Sequence, residues 1–530
     1  MNITKIPVAL AATLVLVSTT GCNDFLDVNT DPINPVDAPV TLLMPTSQAA
    51  MANFLGQSVQ GLSQPTSAIV QQLVNFRIGA YSLDGNSFNN QWLGLYTSML
   101  ENNEQIITRA TATNAWSYVG IAQIQKAYVF SQMVDVWGDI PYSEALQGAK
   151  ITAPRFDDDE AIYTDLFRLI DEGIANLRRT DSSRNPAGDD LIYNGDRAKW
   201  IRLANTLKLK LYNQIRLTRN VTTEVTPLLA ANAELITAAD DFEFRYGLSA
   251  GTPENRNPGF QGDYVAAGRE NSINPYFFGL MKGANDPRIP YYFFNQYNST
   301  AALATADFQD GRFISVRFGS TGPQANANTT STRTLQGLYP IGGRFDNGAG
   351  GNATGASAKG NAPQRLLTFY ARKFIEAELQ LTVLNNPGAA RTALSDAINA
   401  SFAKVNAIAT AEGTVAGTTT TIPTIASTAI EAYRTAVLAR FDAAMQPQDK
   451  LNVIMTEKYI ASFGFGIDVY TDYRRTGFPQ VPDARSDMDP QTVSTGDFPV
   501  RLPYRLNDLL TNPNAPQQPN ITTEKIFWDR

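Results

Sequence analysis

The chain has 530 residues, of which 43% are apolar and 18% charged, with a formal net charge of −7. That length allows several domains or one large core, and the apolar content is too high for disorder. With no histidine and one cysteine, the chain excludes Ser-His-Asp and Cys-His nucleophilic sites, histidine-ligated metals, intrachain disulfides and cysteine-rich zinc sites, and its mild acidity argues against nucleic acid as a partner.

The chain opens as a secretory signal. Lys5 gives a positive start, and Ile6 to Val17 is an apolar run broken only by Pro7 and Thr13. Ser18-Thr19-Thr20-Gly21 then lead to Cys22. A mature membrane-spanning helix needs about 20 residues, so this shorter run fits the apolar region of a signal peptide. A cysteine directly after Gly21 resembles a bacterial lipobox, with Thr19 standing where Leu is usual. This predicts removal of residues 1–21 and lipidation of Cys22. Two or three acyl chains satisfy the requirement for stable anchoring. No later stretch is long and apolar enough to span a membrane.

Residues 22–40 read as an extended leader, because their prolines and Asx residues favour turns. Asp27, Asn29 and Asp31 have the spacing that opens an EF-hand loop, but Pro32 replaces its glycine and Ala38 its terminal Glu. Asx turns are the better reading. No cofactor is expected, and calcium, which needs only oxygen ligands, stays open.

Long helical periodicities follow. Tyr118, Ile121, Gln125, Tyr128 and Met133 form a stripe running to Trp137. The next residues, Gly138-Asp139-Ile140-Pro141, read as a helix stop, with Gly138 at positive φ. A second stripe joins Ile162, Leu166, Leu169, Ile170, Ile174 and Leu177, preceded by Asp157-Asp158-Asp159-Glu160, which favour a helix N-terminus. A third joins Trp200, Leu203, Leu207, Leu211 and Ile215, with Asp196 as N-cap. Residues 247–363 are rich in Gly, Asn, Pro and aromatics, which is the composition of long ordered loops, where binding surfaces usually sit. Within them, Arg312 to Phe318 is the best strand run. Further helical stripes cover Leu366 to Leu381, Ile430 to Phe441 and Leu451 to Phe463. The Thr- and Gly-rich residues 410–428 read as a surface connection. Several helix starts lie roughly 40 residues apart, which suggests stacked helical hairpins.

Four stretches together resemble one family. They are Asp24-Phe25-Leu26-Asp27-Val28-Asn29-Thr30-Asp31-Pro32 after Cys22; Trp137-Gly138-Asp139-Ile140-Pro141-Tyr142; Gly195-Asp196-Arg197-Ala198-Lys199-Trp200; and Tyr473-Arg474-Arg475-Thr476-Gly477-Phe478-Pro479. Their order and spacing resemble the SusD/RagB nutrient-binding outer-membrane lipoproteins of Bacteroidetes. The resemblance implies a mainly α fold, with tetratricopeptide-like helical hairpins forming a right-handed scaffold that carries long ligand-facing loops. It divides the chain into a signal peptide (1–21), a lipid-anchored leader (22–40) and a SusD-like domain (41–530). It implies a lipid-anchored protein on the outer face of the outer membrane, an oligosaccharide or peptide ligand, and a SusC-like TonB-dependent barrel as partner.

Sugar recognition needs aromatic faces together with amides or carboxylates for the hydroxyls. Trp92, Tyr81, Phe88 and Asn90 form one candidate cluster, and Asp263, Tyr264 and Tyr292 belong to a second. The competing reading is core, since Trp92, Leu95 and Tyr96 fall on one helical face. Arg474-Arg475 reads as a buried ion pair, with Asp135 and Asp139 as partners. Ser401-x-x-Lys404 matches a penicillin-recognising motif, but no Lys-Thr-Gly accompanies it, so it reads as chance. No sequence feature singles out a pair of carboxylates for glycoside hydrolysis. The expectation is a binding protein with no catalytic residues. Alternatives are a peptide-binding member of the same family, a carboxylate-based surface glycosidase, or a structural scaffold.

Overall fold

The computed structural model describes residues 38–529, apart from 76–80, 231–232, 267, 270, 321–329, 416 and 483–495. Cys22 and the Asp27, Asn29 and Asp31 group lie outside the described residues.

The main helices of the N-terminal half are α1 (Val40–Leu55), α2 (Ser63–Ile69), α3 (Asn89–Gly94), α4 (Glu101–Ala112), α5 (Trp116–Trp137), α6 (Asp159–Arg178) and α7 (Arg197–Ile215). A wide helical turn, Leu95–Leu100, joins α3 to α4. The C-terminal half holds α8 (Phe369–Thr382), α9 (Pro387–Glu412), α10 (Ser427–Ala443), α11 (Pro447–Ala461) and α12 (Gly466–Thr476). Consecutive helices pack side by side as α4–α5, α5–α6 and α6–α7, and again as α8–α9, α9–α10 and α10–α11. Contacts of α8 with α7, and of α12 with α2 and α5, join the two halves. Among the described residues no helix is long and apolar enough to cross a membrane.

Local chemistry accounts for these elements. Asp158 caps α6 by accepting from the Ala161 N–H, and Asp196 caps α7 by accepting from the Ala198 and Lys199 N–H groups. Such caps are worth about 1 kcal/mol each. Helix α6 buries one stripe, Ile162 to Leu177. Helix α5 is buried almost all round, as expected of a helix at the centre of a stack. It ends at Gly138, whose φ is +76° and whose N–H returns to the Val134 carbonyl at 2.9 Å.

The strands are short antiparallel pairs. Strand β1 (Leu73–Asn75) pairs with β5 (Asn271–Ile273), β2 (Ile140–Pro141) with β3 (Phe156–Asp157), and β4 (Phe242–Phe244) with β10 (Gln364–Leu367). Strand β6 (Phe293–Asn295) pairs with β9 (Thr334–Gln336), and β7 (Phe308–Asp310) with β8 (Phe313–Ser315). The run read from Arg312 to Phe318 thus shortens to β8, in a hairpin turned at Gly311 with φ +62°. The expected surface connection near 410–428 spans the end of α9, a loop with one Thr414–Thr421 bridge, and the start of α10.

The basic pair on α12 is buried, but the structure corrects its partners. Arg475 binds Glu378 on α8 through both terminal guanidinium nitrogens and Asp472 at 2.7 Å. Arg216 binds the same Glu378 at 2.7 Å, so one carboxylate holds two arginines. Arg474, about 100° further round the helix, faces other groups. It donates to the main-chain carbonyls of Val500 and Asp135 and lies over the rings of Tyr470 and Trp528. The Asp135 carboxylate accepts from Tyr163 and Trp528, and the Asp139 carboxylate accepts from the Asp159 N–H. Ser401 accepts from Arg288, whereas Lys404 pairs with Asp241 and Glu243, so the two do not form a catalytic couple.

Candidate functional site

The segment before α4 carries the first candidate cluster. Tyr81 sits at φ +58°. Its ring packs 4.8 Å from Phe318 and 5.7 Å from Phe498, and its hydroxyl donates to the Ile69 carbonyl. The chain then turns. The Asp84 carboxylate accepts from the Asn86 N–H at 2.9 Å and from Ser87 Oγ at 3.2 Å, while Ser87 Oγ accepts from the Asp84 N–H. Such an Asx turn is what a short polar run with glycine favours. Phe88 follows and buries its ring, which fixes the turn on the core, and α3 begins one residue later.

This turn forms one wall of a cleft of about 380 Å³. Asn86, Ser87, Asn89 and Asn90 line it from the turn and from α3, while Gln64 lines it from α2 and Asn75 from β1. Phe88, Pro65 and Val59 supply its apolar surface, and among the described residues no charged side chain lines it. Side-chain amides offer both donors and acceptors. The Asn89 Oδ1 atom has no hydrogen-bond partner among the described residues.

The floor is held by a buried polar chain. Asn75 Nδ2 donates to Asn271 Oδ1 at 3.0 Å, across the β1–β5 register that places the two residues opposite each other. Asn271 and Gln336 then donate to the two oxygens of Asp263 at 3.0 and 2.8 Å. Burial pushes the Asp263 carboxyl up to about 6, against the opposing hydrogen bonds from Gln336 and Asn271. Asp263 is fully buried and is linked to the cleft residue Asn75 through Asn271.

The remaining candidates are placed as follows. Trp92 lies on α3 and is only 3% exposed. It lines a different cavity from the amide cleft. Tyr264 stacks on Phe260 at 4.8 Å, and its hydroxyl donates to the Gln336 carbonyl and accepts from the Arg344 N–H. Tyr292 is fully buried and stacks on Tyr339 at 4.8 Å. Asp263, Tyr264 and Tyr292 therefore sit in the packed interior instead of on a loop surface facing a ligand, because their rings and carboxylate hold the loops on the scaffold. Sequence reasoning missed Gln64 and Asn75, which come from a helix and a strand. Their amide character was visible, but their proximity to Asn90 was not.

A family model described as SusD-like, starch-binding and associating with the outer membrane, matches residues 32–505. The chain belongs to this SusD-like family. Its fold is shared with a chitin-binding protein, at 19% identity and a TM-score of 0.69, covering 93% of this chain and 100% of the other. A SusD/RagB family protein of Bacteroides thetaiotaomicron is similar at 20% identity and a TM-score of 0.66, covering 93% and 99%. A SusD homologue of Bacteroides fragilis is similar at 20% identity and a TM-score of 0.67, covering 93% and 100%. No curated protein matches. The helical hairpins of this SusD-like chain are thus the tetratricopeptide-like scaffold of the family.

Proposed function

We propose that this SusD-like protein captures an oligosaccharide in the amide-lined cleft and passes it, uncleaved, to a TonB-dependent outer-membrane barrel of SusC-like type. In this reading residues 1–21 are removed, Cys22 carries the lipid, and the protein faces the cell exterior. The observation that carries the binding role is the ring of uncharged amide and hydroxyl side chains, Gln64, Asn75, Asn86, Ser87, Asn89 and Asn90, around one cleft. Sugars present many hydroxyls and no charge, and amides match both their donors and their acceptors. Family membership supports the reading. The test is calorimetric titration of the mature chain with maltooligosaccharides and chitooligosaccharides, with chromatography of each sugar afterwards. Binding with the sugar recovered intact supports the proposal. Shortened products would replace it with a hydrolase, and binding of peptides instead would change the ligand class.

A further inference from the structure

Further along the same segment, Trp92, Leu93, Tyr96 and Thr97 line a second cavity of about 380 Å³. Its walls are aromatic. Trp92 and Phe156 lie nearly parallel, 6.2 Å apart at 24°, and Tyr96 is 5.4 Å from Trp92. Leu93 closes one rim. Two carboxylates, Glu101 and Asp508, also line the cavity, and among the described residues no lysine or arginine lines it, although Arg505 beside it is ion-paired with Asp508. Each carboxylate is held by one oxygen. Gln105 donates to Oε1 of Glu101 at 3.0 Å, and Arg505 donates to Oδ1 of Asp508 at 2.6 Å. The other oxygen of each carries no hydrogen bond among the described residues.

We infer that this cavity is a second binding site, distinct from the amide cleft, and that it takes the end of an alkylammonium group such as a lysine side chain. Ring faces attract cations through their quadrupole. Carboxylates on the same wall add directional acceptors for N–H donors. An aliphatic stem is matched by the apolar walls, and a hydroxyl-rich amino sugar is not. The surroundings agree with contact to another molecule. Leu510 is 75% exposed, and Leu93, Ile151 and Leu506 are each at least 36% exposed. The main-chain carbonyls of Ala153 and Pro154 accept from Asn514 and Asn512, which ties the two loops forming this rim together. The inference does not rest on the sugar-binding proposal.

The test is saturation-transfer NMR on the mature chain with three probes: n-butylammonium, n-butanol as its neutral counterpart, and glucosamine. The expected result is a preference of about fivefold or more for n-butylammonium over n-butanol. Glucosamine is expected to bind no better than n-butanol. The double variant Glu101→Gln/Asp508→Asn should lose the preference while keeping the wild-type circular dichroism. The pair Asn86→Ala/Asn90→Ala should leave n-butylammonium binding unchanged, which separates this site from the cleft. Equal binding of n-butylammonium and n-butanol would overturn the inference, as would a preference that survives in the double variant. Tighter binding of glucosamine would overturn the alkylammonium assignment.

Discussion

Replacing Glu378 by glutamine tests the buried charge cluster that ties α7, α8 and α12 together. Glu378 and Arg475 have fully buried side chains, and Arg216 is nearly so. The Glu378 carboxylate accepts from Arg475, from Arg216 at 2.7 Å and from Asn213 at 2.9 Å. Burial raises its carboxyl, but Arg475 and then Arg216 outweigh that, and it ends below the usual carboxylate range. A glutamine keeps the shape but offers one acceptor oxygen, and its amide N–H groups face a guanidinium. Arg475 would retain Asp472, whereas Arg216 would lose its ion-pair partner. Breaking a buried pair in this way costs about 3–5 kcal/mol. The assay is urea unfolding followed by circular dichroism, with Asp442→Asn as control. Asp442 pairs with Arg391 at 2.7 Å on the surface, both half exposed, and such pairs are worth at most about 1 kcal/mol. A loss below about 1 kcal/mol for Glu378→Gln, or one equal to the control, would refute the assignment of Glu378 as the anchor of both arginines. The sign with pH follows. A folded carboxyl held below its unfolded value stabilises above that unfolded value, and the contribution is lost as pH falls. Glu378→Gln should therefore lessen acid sensitivity.

Three further outcomes are expected. Asn86→Ala and Asn90→Ala, both on the cleft wall, should each weaken oligosaccharide binding by a factor of about 2–10, one hydrogen bond's worth, with unfolding midpoints unchanged. Burial pushes the Asp135 carboxyl up to about 6, against Lys210 and the Tyr163 hydrogen bond. A raised carboxyl contributes stability that is present in acid and lost as pH rises through the folded value. Asp135→Asn keeps Oδ1 as acceptor for Tyr163 and Trp528, so it should flatten the fall in stability between pH 4 and 6, whose slope from this one proton is about 1.4 kcal/mol per pH unit. Cys22→Ala should abolish incorporation of a palmitate analogue in cells and release the protein from the membrane fraction.

Local signals were legible in the sequence and distant partnerships were not. Asp158 and Asp196 announce helix starts because an N-cap acts within three residues, and Gly138 announces a stop because the next turn needs positive φ. The pair Arg474-Arg475 announces burial, but its true anchor lies 97 residues before Arg475, on another helix. Asp135 and Asp139 are reasonable partners by residue type, yet helix geometry sends the two arginines in different directions. The same limit applies at the cleft. Phe88 and Asn90 were readable as one polar-aromatic run, whereas Asn75 reaches the site only through β-pairing with Asn271, 196 residues away. Asp263, Tyr264 and Tyr292 have the residue types of a sugar site, but in this fold those groups serve the interior. Aromatic and carboxylate content marks where order is needed in a long loop region, and only the packing shows which side of the loop it serves.

The most direct test of the binding account is a glycan array probed with the mature wild-type chain and with Asn86→Ala/Asn90→Ala side by side. Oligosaccharides bound by the wild type should be lost or strongly weakened in the cleft variant, while both proteins unfold at the same urea concentration. Oligosaccharide binding that persists undiminished in the variant, or a wild-type chain that binds no glycan, would contradict it.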